Sequence, residues 1–147
     1  MKKLIALAAL VVSSFVNSAF ADTVYVALIS GDQEVPPRPE SPIIGMAVLS
    51  VVDNGNGTGT ATVVVSTFNV NPDQPIIASH IHNAPAGVNG PVICPLTGAE
   101  GFTNPVVRTC NFNEVDFQAL QDGNLYFNSH TPMFPGGESR GQIGLAQ

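Results

Sequence analysis

All three histidines of the chain fall in two short clusters, His80-Ile81-His82 and Asn128-Ser129-His130-Thr131. Both clusters sit in stretches that read as β-strand. Side chains two apart on a strand project from one face, so His80 and His82 aim two imidazoles at one point. That is a chelating arrangement. His130, arriving from another strand, completes three nitrogen ligands and leaves a coordination position open, which is the layout a reactive metal centre needs. The competing reading is that each ring is satisfied by a backbone carbonyl or by water, as most strand histidines are. The absence of any other histidine favours the joint reading.

The elements that must position these rings are short β-branched runs separated by glycine, proline and asparagine. Strands are expected at Thr23 to Ile29, Ile43 to Val52, Thr60 to Phe68, Ile76 to His82, Pro91 to Leu96, Asn124 to His130 and Gly141 to Leu145. Between the second and third, Asp53-Asn54-Gly55-Asn56-Gly57-Thr58-Gly59 supplies the positive-φ residues of a hairpin turn. The same residues superficially resemble a calcium loop, but they lack a closing glutamate and are flanked by strands instead of helices. Gly31 to Pro42 is polar and rich in proline, unsuited to a core element. Asn113 to Gln121 carries the one helical signal, with Asn113 as cap, Glu114 and Asp116 in the first turn and Gly123 just past the end. The pattern predicts an all-β chain: a single-domain Greek-key β-sandwich or flattened barrel of about seven to eight strands, with one short helix.

Met1-Lys2-Lys3, the apolar run from Leu4 to Val16 and Ala19-Phe20-Ala21 together read as a secretory signal peptide over residues 1–21, with a domain over 22–147. The expectation is an exported protein, periplasmic or secreted, with no membrane association after cleavage. Beyond residue 21 only Arg38, Arg108 and Arg140 oppose eleven acids, a formal charge of −8. Such a surface repels nucleic acid and anionic membranes. Export favours a disulfide between Cys94 and Cys110, which closes a loop worth about 3 kcal/mol. The alternative, a pair of metal-binding thiolates, fits no C-x-x-C spacing. Nucleophilic catalysis finds little support: no G-x-S-x-G occurs, and Ser79 and Ser129 point away from their histidine neighbours. Glu34 and Glu138 could pair as acid and base only if the fold brought them together.

Four segments carry a family resemblance: Leu28-Ile29-Ser30-Gly31-Asp32-Gln33-Glu34-Val35-Pro36-Pro37; Ser79 to Gly87 with Asn89-Gly90-Pro91-Val92; Gly123 to Thr131; and Pro135-Gly136-Gly137-Glu138-Ser139-Arg140-Gly141-Gln142-Ile143. They resemble the CHRD domain, named from chordin and found widely in exported bacterial proteins. The CHRD pattern is in turn similar to that of the copper-zinc superoxide dismutases, where a His-x-His pair and a later histidine bind copper and an arginine before a glycine-rich strand guides the anion. This implies His80, His82 and His130 as copper ligands and Arg140 as the catalytic, anion-guiding residue, with superoxide as the small-anion substrate. No histidine remains to bridge a second metal and no zinc cluster is present, so the resemblance extends only to a copper-only centre with one ion per chain. Zinc is the alternative metal; it fits the same nitrogens but cannot cycle. For Arg140 a salt bridge or a fork to backbone carbonyls competes with the guiding role. Glu34 is expected either to accept a proton from an imidazole behind the ligands or to cap a turn. The alternative to an enzyme is a non-enzymatic module that binds metal structurally or meets an unknown protein partner.

Overall fold

The structure, a computed structural model, describes residues 22–147. The expected signal peptide lies outside the described residues. Eight antiparallel strands form a nearly closed, barrel-like sheet: β1 (Thr23–Ile29), β2 (Ile44–Asp53), β3 (Gly59–Phe68), β4 (Ala78–Asn83), β5 (Val92–Pro95), β6 (Val106–Phe112), β7 (Leu125–His130) and β8 (Ser139–Leu145). Their order is β5-β4-β7-β8-β1-β2-β3-β6. Seven of the strands lie where β-branched runs and turn residues put them. The eighth, β6, was not anticipated, because Arg108 and Cys110 interrupt its apolar run; pairing with β3 over Val65↔Val106 to Gly59↔Phe112 compensates.

Alternation decides the core. On β3 every second residue, among them Ala61, Val63 and Val65, is buried while its neighbours are more open. The β2–β3 hairpin closes at Asp53↔Gly59, with Gly55 and Gly57 at φ 76° and 81°, as its turn requires. One end of the barrel is plugged by α1 (Glu114–Gln121), capped by Asn113, whose side chain accepts from the Asp116 N–H. Phe117 and Leu120 enter the core from it. Gly59 makes room: a Cβ there would stand 2.5 Å from the Phe117 ring. Among the described residues, no helix is long and apolar enough to cross a membrane.

The sheet has two free edges, β5 and β6, and Cys94 and Cys110 join them by a disulfide with a Cα–Cα distance of 5.9 Å. The bond therefore fastens the two ends of the sheet together. Reduction, or Cys94→Ser with Cys110→Ser, is expected to lower unfolding free energy by about 3 kcal/mol. Urea denaturation of oxidised and reduced protein measures the difference, and coincident curves would contradict the stapling role.

Candidate metal centre

The rings stand on the outside of the barrel. Ile81 and Phe127 point into the core, so their strand neighbours face the other way. Antiparallel pairing sets His80 opposite Asn128, His82 opposite Tyr126 and Ala78 opposite His130. Residue 128 in turn pairs with Arg140, and Tyr126 with Gln142. One outward face of β4, β7 and β8 thus carries all three histidines together with Tyr126, Asn128, Arg140 and Gln142. The connections at 31–38, 84–90 and 131–138 fold over it.

His80, His82 and His130 converge, with one ring nitrogen of each lying within 4.8 Å of the others. His80 Nδ1 and His130 Nε2 are 3.2 Å apart. Two nitrogens sharing one tetrahedral ion at about 2.0–2.1 Å would be separated by about 3.3 Å. The remaining nitrogens are already assigned. His82 Nδ1 lies 2.9 Å from the Gly90 carbonyl and His130 Nδ1 lies 3.0 Å from the Pro135 carbonyl. Because a carbonyl only accepts, each Nδ1 must carry its proton and donate, which leaves each Nε2 an acceptor; that of His130 takes the His80 Nδ1 proton. His82 Nε2 is buried and has no hydrogen-bond partner. A buried acceptor left unmatched costs roughly 1–3 kcal/mol, a deficit that a cation bound by the three rings would remove. The donor set therefore fits a metal ion, and carbonyls behind two of the rings fix their orientation.

Electrostatics favour the same state. Burial foremost, with the His130 and His82 rings acting in the same direction, pushes the His80 pKa down to about 4. Burial also lowers the pKa values of His82 and His130, against the opposing pull of the Gly90 and Pro135 carbonyls. All three rings are therefore neutral and ready to ligate at neutral pH.

The other sequence-predicted residues take different positions. Glu34 is 5% exposed and touches no imidazole; its carboxylate accepts from the Asn128 side chain, and burial raises its pKa. The partners expected of it behind the rings are the Gly90 and Pro135 carbonyls instead. Glu138 accepts from Thr131 and Ser41 and shares no hydrogen bond with Glu34. Arg140, 1% exposed, donates from one terminal nitrogen to the Val88 carbonyl at 2.9 Å and from the other to the Pro85 carbonyl at 3.0 Å and Gln142 Oε1 at 3.1 Å. Its guanidinium also lies 3.5 Å from the centre of the Tyr126 ring. This is the fork to backbone carbonyls. A cleft of about 370 Å³ borders Arg140, Glu34 and Gln142, but no histidine lines it. Sequence reasoning missed Tyr126, which stacks on His82 at 4.8 Å and 10°, and Gly90. The period-two spacing of Tyr126, Asn128 and His130 was the available signal for the tyrosine.

The depressed pKa values carry a sign for stability. The unfolded chain binds protons on these rings below about 6.5, whereas folded His80 resists until about 4, so the metal-free protein loses stability as pH falls through that window. Thermal unfolding of wild type and His80→Gln from pH 7 to pH 4 should show the variant with the shallower loss. Taking the difference cancels Glu34, whose shift runs the other way. Parallel profiles would show that His80 is not held neutral.

No curated protein and no solved structure matches the chain. The CHRD domain family does, over residues 25–143, a span that contains all three histidines, the disulfide and Arg140. The chain belongs to the CHRD domain family.

Proposed function

We propose that this chain is an exported copper-binding CHRD domain, with one copper per chain and superoxide dismutase-like activity. The observation that carries the metal reading is the buried, unpartnered His82 Nε2 facing two further neutral imidazoles. Copper in that site would supply one-electron redox cycling, the chemistry that dismutation of superoxide requires. The chain's own residues contribute position and charge. Gly90 and Pro135 fix two rings, and the charge of Arg140 is felt at His82, where it adds to the effect of burial in lowering the pKa. A local positive potential offsets an otherwise acidic surface for an arriving anion. The disulfide supports an oxidising, periplasmic or secreted setting, which agrees with the signal peptide expected from the sequence of residues 1–21.

A second reading is favoured by Arg140 itself. Its polar contacts are internal and it is 1% exposed, where a guiding arginine gains from facing solvent. On that reading the domain binds copper or zinc without turnover.

Titration of metal-free protein should give one tightly bound Cu(II) per chain. His82→Ala is expected to weaken binding by roughly 100-fold or more, beyond the 10- to 100-fold typical of losing a partner behind a ligand. Equal affinity in that variant would remove His82 from the ligand set. Copper-loaded wild type should then dismutate superoxide faster than an equivalent free copper complex; no excess rate would leave the non-catalytic reading.

A further inference from the structure

We propose that Arg140 is a positioning residue of the metal centre, holding the 84–90 turn in the one placement from which Gly90 orients His82. The inference rests on the metal-binding reading above and deepens it.

His82 is gripped at two points by the same small unit. The Gly90 carbonyl receives its Nδ1 proton at 2.9 Å, while the Gly90 N–H donates to the Tyr126 hydroxyl at 3.1 Å. The Tyr126 ring lies flat against the imidazole. Gly90 cannot be displaced by a bulkier residue, since a Cβ there would stand 2.0 Å from the Asn83 carbonyl oxygen. The aim of His82 Nε2 therefore depends on where Gly90 sits, and Gly90 ends the connection between β4 and β5.

That connection has little to hold it in itself. A single turn bond, Val88 N–H to the Pro85 carbonyl at 3.2 Å, closes its tip, and the Asn83 N–H bonds the Pro91 carbonyl at its base. Three of its carbonyls meet β8: Pro85, which also closes the turn, and Val88 accept from Arg140, and Ala84 accepts from Gln142 at 3.1 Å. Asn89 adds one bond to the Val35 carbonyl. The guanidinium also packs on the ring that stacks against His82. One planar group thus fixes both the turn that carries Gly90 and the tyrosine that receives its N–H.

A planar fork is needed for this, and charge alone is not enough. Among the described residues no carboxylate ion-pairs with Arg140. Arginine spans two carbonyls from separate nitrogens while lying flat on an aromatic face; a lysine ammonium is a point charge that cannot do both. His130 is oriented from a different connection, through Pro135, and should be insulated from changes at Arg140.

The test is Arg140→Lys, which keeps the charge and removes the fork. Cu(II) affinity is measured by chelator competition, and the tautomers of His82 and His130 are read by 15N NMR of the metal-free protein. The expected result is an affinity loss of about 10- to 100-fold, with the Nδ1–H tautomer of His82 eroded and that of His130 retained. Unchanged affinity in a wild type that binds copper overturns the inference and leaves the metal reading intact. Equal disturbance of both histidines also overturns it, since the effect is then general loosening. Failure of wild type to bind copper overturns both. Should Arg140→Lys not fold, Tyr126→Phe carries the test: it keeps the stacking and deletes the acceptor for the Gly90 N–H. A smaller loss of affinity, with the same selective change at His82, supports the inference, and no change overturns it.

Discussion

Satisfying one buried guanidinium is the constraint on which the outer face of this barrel depends. A charged group taken out of water needs its donors matched, and among the described residues no carboxylate lies in ion-pair contact with Arg140, although the Glu34 charge acts on it from nearby. It finds the Pro85 and Val88 carbonyls, the Gln142 side chain and the face of Tyr126. Because those carbonyls belong to the turn beside the histidines, meeting the demand of the charge and seating the turn are one event. The Gly90 carbonyl that meets His82 lies in that same turn.

Antiparallel strands commonly leave one face to water. β7 does not: Leu125 to Ser129 are all buried, the odd residues by the core and the even ones by covering connections. A polar row under a cover needs hydrogen-bond partners, and most of this one finds them. Asn128 gives its amide to Glu34, and the Glu138 carboxylate receives Thr131 and Ser41. Gly137, at φ 129°, admits the Glu34 carboxylate so closely that a Cβ would stand 2.9 Å from both of its oxygens. Glu138 thus ties Thr131 and Ser41 to the end of the connection that carries Pro135, while Arg140 bonds the one that carries Gly90. Two of the three imidazoles are aimed by a carbonyl from one of these connections, and the third, His80, faces His130, so the cluster that could hold an ion is arranged by the fold itself.

The two halves of the sheet divide these tasks. β1, β2, β3 and β6 bury one side and expose much of the other, including Leu28, Met46 and Phe68, and they serve to support the core. β4 and β7 carry the three histidines, and β8 carries Arg140 and Gln142 beside them. The Cys94–Cys110 bond fastens β5, beside the functional strands, to β6, at the end of the supporting ones. Closure of the barrel therefore holds the histidine strands against a scaffold that takes no part in the site.

The sequence by itself determined the all-β class, most strand positions, the β2–β3 hairpin, the helix cap, the disulfide and the histidine trio. These follow from short-range rules: period-two projection, turn residues with positive φ, a capping side chain, and the scarcity of histidine and cysteine. β6 was illegible because a charged residue in mid-strand disguises an alternation that only pairing with β3 makes worthwhile. The roles of Glu34 and Arg140 were decided by tertiary structure alone. Which acceptor a buried donor meets depends on connections distant in sequence, and residues 34 and 128, or 85 and 140, become neighbours only when the sheet closes. Gly90 and Tyr126 were hidden for the same reason: a backbone carbonyl has no signature in sequence, and a tyrosine on a strand reads as core until the register places it against an imidazole.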